Sequence, residues 1–203
     1  MYRKGSDYDK LDRMVIEIYV DYGIHKFPLN LQDLSEKAGV KLIAYSEFDE
    51  ITKALLMKKS NDGFYSPATI LSPHVIFYND EIGSEGRKRY NISHELKHYF
   101  NNDTDESEFG EDMADHFGKY LLCPTPCLVV NGKLDPLSIV ADYGLSFEAA
   151  ENASNAARNR IKKYNRRIFE YEQPLIRLIF GEDFDIKAFE RGETDVVIGK
   201  KSL

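Results

Sequence analysis

Cysteine is nearly absent from this chain of 203 residues, which has only Cys123 and Cys127, in the stretch C-P-T-P-C. Two thiols are too few for a disulfide framework, and a second metal site would want about four ligands. They read as a buried small side chain and a spare thiol, on a segment that two prolines should keep out of a helix. Long apolar runs are missing too. No stretch approaches the roughly 18 residues needed to span a bilayer, and the start, "MYRKGSDYDKLDRMV", lacks the apolar core of a signal peptide. A cytoplasmic protein without membrane attachment is expected. Nor is there a basic excess: 27 Lys and Arg face 34 Asp and Glu, a formal charge of -7, with the basic residues scattered among acids. That balance argues against direct nucleic-acid binding. Internal repeats and low-complexity tracts are also missing.

With 42% hydrophobic and 30% charged residues, the composition is that of an ordinary globular protein. The length suffices to bury a core without staples, so a metal would serve chemistry rather than folding. Apolar residues at helical spacing predict a first helix over 7–22, ended by Gly23. "PLNLQDLSEKAGV" predicts a second, with Asn30 as N-cap and Gly39 past its end. "KLIAYS" is strand-like, while "ITKALLMKKS" fits helix or strand. The turn "NDG" followed by "FYSPATIL" and "HVIFYND" predicts two more strands, hence a small antiparallel or mixed sheet. Gly83 and Ser84 open a long helix to about Asn101. After the polar turn "NNDTDES", another helix runs from about Ser107 to Leu122 with Phe109, Met113, Phe117 and Leu121 on its apolar face. Residues 136–164 read as helix, turn and helix, with acids and Asn where a phosphate binder would carry Lys and Arg. Beyond 165 the chain is charged, with apolar pieces "PLIRLIF" and "TDVVIG" whose purpose the sequence does not state. The expected division is 1–128, 129–164 and 165–203.

The long helix holds "RKRYNISHELKHYFNN", in which His94, Glu95 and His98 form H-E-x-x-H. Residues four apart share a helix face, so both imidazoles can meet one ion while Glu95 projects beside them as general base. Catalytic zinc needs a third protein ligand and an open position. The next helix offers Glu111, with Asp115 one turn on to accept a hydrogen bond from a ligating histidine. Glu108, on the same face, is the alternative third ligand. Tyr90, one turn before His94, and His116 are candidate oxyanion donors. "HVIFYN" could lend an edge to an extended substrate.

"RKRYNISHELKH" resembles the basic-aromatic lead-in to H-E-L-x-H of the ImmA/IrrE-type zinc metallopeptidases. "EDMADHFGKYLLCP" is similar to that family's E-x-x-A-[ND]-x-F-A-x-x-L-L-x-P, with Gly118 replacing the usual Ala. "VIFYND" upstream and "PLSIVADYGLS" downstream fit the layout, so the resemblance covers about residues 8–160. It implies an α+β fold: a small zincin-like (gluzincin-type) domain whose short sheet packs on the active-site helices, followed by a C-terminal helical hairpin. It implies one zinc ion per chain, with manganese as a substitute in vitro, held by His94, His98 and Glu111, and Glu95 as catalytic base. The implied substrate is a helix-turn-helix repressor of a mobile element or of stress genes. An inactive metal-binding regulator acting by protein or DNA binding is the alternative, and a deformylase-like amidase fits less well because no Cys ligand motif is near.

Overall fold

The computed structural model describes residues 4–103 and 107–193. Helix α1 (Lys4–Asp21) is followed by α2 (Leu31–Ala38), whose ends are set by chemistry the sequence displays. The Asn30 side chain accepts from the Asp33 N–H, and Gly39 takes the left-handed conformation that closes the helix. Strand β1 (Val40–Ala44) leads through a 3-10 turn to α3 (Glu50–Lys59), then to β2 (Gly63–Ser66) and β3 (His74–Tyr78). The ambiguous "ITKALLMKKS" is therefore helical. Its N-cap, Asp49, accepts from the N–H groups of Ile51 and Thr52, and none of its residues is buried.

The sheet has the order β1-β3-β2, with β1 parallel and β2 antiparallel to β3. Two expectations change here. The strand drawn from "FYSPATIL" stops at Ser66, before Pro67, which has no N–H for a ladder. And "HVIFY" is the central strand, paired on both sides, so the sheet's edges are β1 and β2, and β2 is the one that borders the cleft.

Helix α4 (Glu85–Phe100) begins at Ser84, whose side chain accepts from the Arg87 N–H, and α5 (Glu108–Leu122) at Ser107, which does the same for Gly110. These two helices pack along one another, and the sheet lies against α4. Met113, Phe117 and Leu121 of α5 enter the core with Leu11, Val15 and Tyr19 of α1 and Leu96 of α4, whereas Phe109 is exposed. Phe109 sits in the first turn of α5. The Tyr19 hydroxyl donates to the Leu121 carbonyl at 2.7 Å, tying α1 to α5.

Helix α6 (Thr125–Asn131) corrects the reading of C-P-T-P-C. Pro126 lies in its first turn, where a missing N–H costs nothing, so the prolines start a helix instead of preventing one. Cys123 and Cys127 are both buried and unbridged. Helices α7 (Pro136–Tyr143) and α8 (Phe147–Tyr164) form the expected hairpin, turning at Gly144 in the left-handed region. A hydrogen in place of a Cβ at Gly86 lets α4 touch this turn, since a Cβ there would lie 2.3 Å from the Ser146 nitrogen. A second 3-10 turn (Glu170–Glu172) leads to α9 (Gln173–Phe180) and α10 (Ile186–Arg191). "PLIRLIF" is thus α9, which buries Leu175 and Ile176 and packs on α1 and α6. "TDVVIG" lies outside the described residues. The chain is mostly helical with one three-stranded sheet, an α+β fold, and among the described residues no helix is long and apolar enough to cross a membrane.

Candidate metal centre

Helical periodicity brings His94 and His98 to one face of α4, with ring centroids 5.9 Å apart. Gly118 sets how α5 meets that face. A Cβ at this position would stand 3.0 Å from Ser93 Oγ and 3.1 Å from the His94 nitrogen, so glycine allows α5 to lie directly on the α4 backbone. Glu111 and Asp115, two and one turns before Gly118, are thereby delivered to the histidines.

His94 Nδ1 lies 3.0 Å from Asp115 Oδ1, while its Nε2 lies 3.1 Å from Glu111 Oε2. His98 Nδ1 lies 2.9 Å from Asp103 Oδ1, and its Nε2 lies 4.0 Å from Glu111 Oε1. A carboxylate can only accept, so each Nδ1 carries a hydrogen toward Asp115 or Asp103, and each Nε2 is the ring nitrogen turned to Glu111, where a neutral imidazole offers its lone pair to a metal. Two such lone pairs and a Glu111 oxygen lie within 4.8 Å of one another, a group that could hold a metal ion. His94 Nε2 lies within hydrogen-bonding distance of Glu111, and a divalent cation among these atoms would take the place of that contact. The donor set, two neutral imidazoles and a carboxylate, suits zinc. Glu108, exposed in the first turn of α5, is not among these ligand atoms.

The carboxylates behind the histidines are themselves held. Asp115 accepts from the Tyr90 hydroxyl and from His94 and lies 3.6 Å from Lys119 Nζ. Burial pushes its carboxyl up, but the hydrogen bonds from Tyr90 and His94 and the charge of Lys119 outweigh that and leave it below the usual range. Burial likewise opposes ionisation of Asp103, yet hydrogen bonds from Asn101, Lys97 and His98 bring its carboxyl down to about 2. Both stay anionic and keep the two rings oriented. Asp103 was missed in the sequence. It lies in the polar turn after α4, where only the chain reversal, with Asn102 at φ +50°, carries it back to His98.

Glu95 is half-buried beside the ligands, and its Oε2 accepts the Tyr65 N–H of β2 at 2.8 Å. Burial raises its carboxyl above the usual range, against the pull of His94, His98 and the Tyr65 N–H, the direction that makes a carboxylate a better proton acceptor. A cleft of about 700 Å³ opens over these groups between β2 and the two helices. Tyr90 borders it with its hydroxyl committed to Asp115. His116 is not brought there. Its Nε2 lies 2.7 Å from Asp12 Oδ1 of α1 and its ring packs on Tyr8 and Tyr120, because its position on α5 turns it toward α1.

Nothing among curated proteins matches the chain significantly. The profile of the IrrE N-terminal-like domain of the Peptidase M78 family, a zinc-dependent metallopeptidase family, matches residues 36–155, more than half of the chain. The match contains the sheet, both helices of the cleft and every residue of the polar cluster, and the chain belongs to the Peptidase M78 family.

Proposed function

We propose that the chain is a zinc-dependent endopeptidase that hydrolyses a peptide bond in a protein substrate, with a zincin-like (gluzincin-type) arrangement of sheet and helices around its cleft. The observation that carries this reading is the convergence of both Nε2 lone pairs and Glu111 on one point, with Glu95 beside it and hydrogen-bonded to an edge strand. His94, His98 and Glu111 are the ligands in this reading, and Asp115 and Asp103 orient the two rings. When bound there, zinc supplies Lewis acidity at the scissile carbonyl and acidifies the attacking water. Glu95 takes the proton from that water and passes it to the leaving amine. Tyr90 holds Asp115, and its hydroxyl reaches an oxyanion only by giving up that bond.

The edge strand supplies the means of aligning a substrate. Since the Tyr65 N–H turns away from β3 toward Glu95, the carbonyl of the same residue faces the open edge as well. An extended substrate donating to it lies with its peptide groups next to the general base. In this reading residues 1–128 form the peptidase unit, 129–164 the helical hairpin at its flank, and 165–203 an appendage. A helix-turn-helix repressor as substrate is supported by family resemblance alone, and a cytoplasmic setting goes with it.

The test is a cleavage time course with zinc-loaded chain and the helix-turn-helix protein encoded beside it. Wild type should cut. Glu95→Gln should retain zinc and fold but lose about 10² to 10⁴ in rate. Equal rates would refute the mechanism, and no cleavage by zinc-loaded wild type would favour a metal-binding regulator.

A further inference from the structure

His74, the first residue of β3, stands outside the ligand cluster, yet its Nδ1 serves two partners. The Tyr65 hydroxyl lies 2.6 Å from it and the Ala68 N–H 3.2 Å. A main-chain N–H can only donate, so this nitrogen carries the lone pair and the hydroxyl donates to it as well. The Tyr65 and His74 rings are nearly parallel, 6° between planes with centroids 5.9 Å apart, and Tyr99 of α4 meets both edge-on. Tyr65 is thus gripped by its side chain at one end of β2. Its own N–H leaves the sheet and donates to Glu95 Oε2 at 2.8 Å.

We infer that His74 is a positioning residue: by anchoring the Tyr65 hydroxyl it fixes the part of β2 whose N–H aims the Glu95 carboxylate. With Oε2 tethered, the other carboxylate oxygen is presented to the cleft. Without the tether the carboxylate can rotate about its terminal bonds, and misplacement by a fraction of an ångström is costly to a proton transfer. The kinetic consequence rests on the endopeptidase reading, whereas the chain His74, Tyr65, Glu95 stands on geometry.

The test uses the full chain with His74→Ala, His74→Asn, His74→Gln and Tyr65→Phe. Asparagine puts an amide oxygen close to where Nδ1 stood, while the longer glutamine reaches the place of Nε2. One readout is the Tyr65 amide in nitrogen-proton NMR spectra, its shift and its hydrogen exchange. The other is turnover of unfolded casein by zinc-loaded protein. His74→Ala and Tyr65→Phe should each speed Tyr65 exchange and lower kcat by about tenfold, with KM little changed. The double variant should be no worse than either single, because both remove one link. His74→Asn should recover most of the loss and His74→Gln should not. An unmoved Tyr65 amide in His74→Ala, or additive losses in the double variant, overturns the inference. Should His74→Ala fail to fold, Tyr65→Phe deletes a single oxygen and decides the same question. The amide readout decides it whether or not casein is cut, and absence of cleavage counts against the endopeptidase reading alone.

Discussion

Between α8 and α9, Glu172 is fully buried, and each of its carboxylate oxygens meets one guanidinium nitrogen of Arg160 at 2.6 Å, with the Phe169 N–H as a third donor. In the cleft, Glu111 is 47% exposed and faces the Nε2 atoms of His94 and His98, at 3.1 and 4.0 Å. At the first place every acceptor has its donor and the charges cancel. At the second, three groups of metal-ligand type converge, and the one close contact among them is that of His94 Nε2 with Glu111 at 3.1 Å. A fold gains little from such a half-exposed contact by itself, and the same three groups could hold a metal ion. Even within the cleft the two styles coexist: Asp103 behind His98 is matched by buried Lys97 at 2.9 Å, while Glu111 in front is half-exposed and forms no ion pair with Lys or Arg among the described residues.

The contrast is broken most sharply at the matched pair. Glu172→Ala strands a buried guanidinium and should cost about 3 to 5 kcal/mol in denaturant unfolding without changing metal affinity. Zinc should act in the opposite sense at the cleft. At about a hundred times its dissociation constant it should raise stability by roughly 2.7 kcal/mol, and His94→Ala should abolish that gain. Smaller effects belong to the carboxylates behind the rings. Asp103→Ala and Asp115→Ala should each weaken zinc binding by about 10- to 100-fold in competition titrations, with the fold retained. Smallest is Glu111→Gln in metal-free protein. Removing a half-exposed charge whose one close partner is the His94 ring should change stability by no more than about 0.5 kcal/mol, where a Glu172-sized loss would show that the cleft is matched as firmly as the buried pair.

How much of this was legible depended on whether the signal was local. The caps of α2, Asn30 and Gly39, and the serines that start α4 and α5 are side chains acting within three residues of themselves, and the sequence displays them openly. H-E-x-x-H and the Glu111–Asp115 spacing are of the same kind. C-P-T-P-C misled because proline is judged by position: in a first turn it is harmless, inside a helix it is not. The sheet order was beyond local reading, since which strand lies at the edge depends on a parallel crossover between β1 and β3. The partner of His116 is Asp12, 104 residues away, and no spacing rule connects them. Asp103 and Tyr65 reach the cleft through a chain reversal and a strand edge, so their part in the site follows from the fold alone.

Metal content tests the central claim most directly. Elemental analysis of purified wild type and Glu95→Gln should find about one zinc per chain, and His98→Ala and Glu111→Ala should lose it, as expected for two imidazoles and one carboxylate around a single ion. Full zinc occupancy in both His98→Ala and Glu111→Ala would contradict the account.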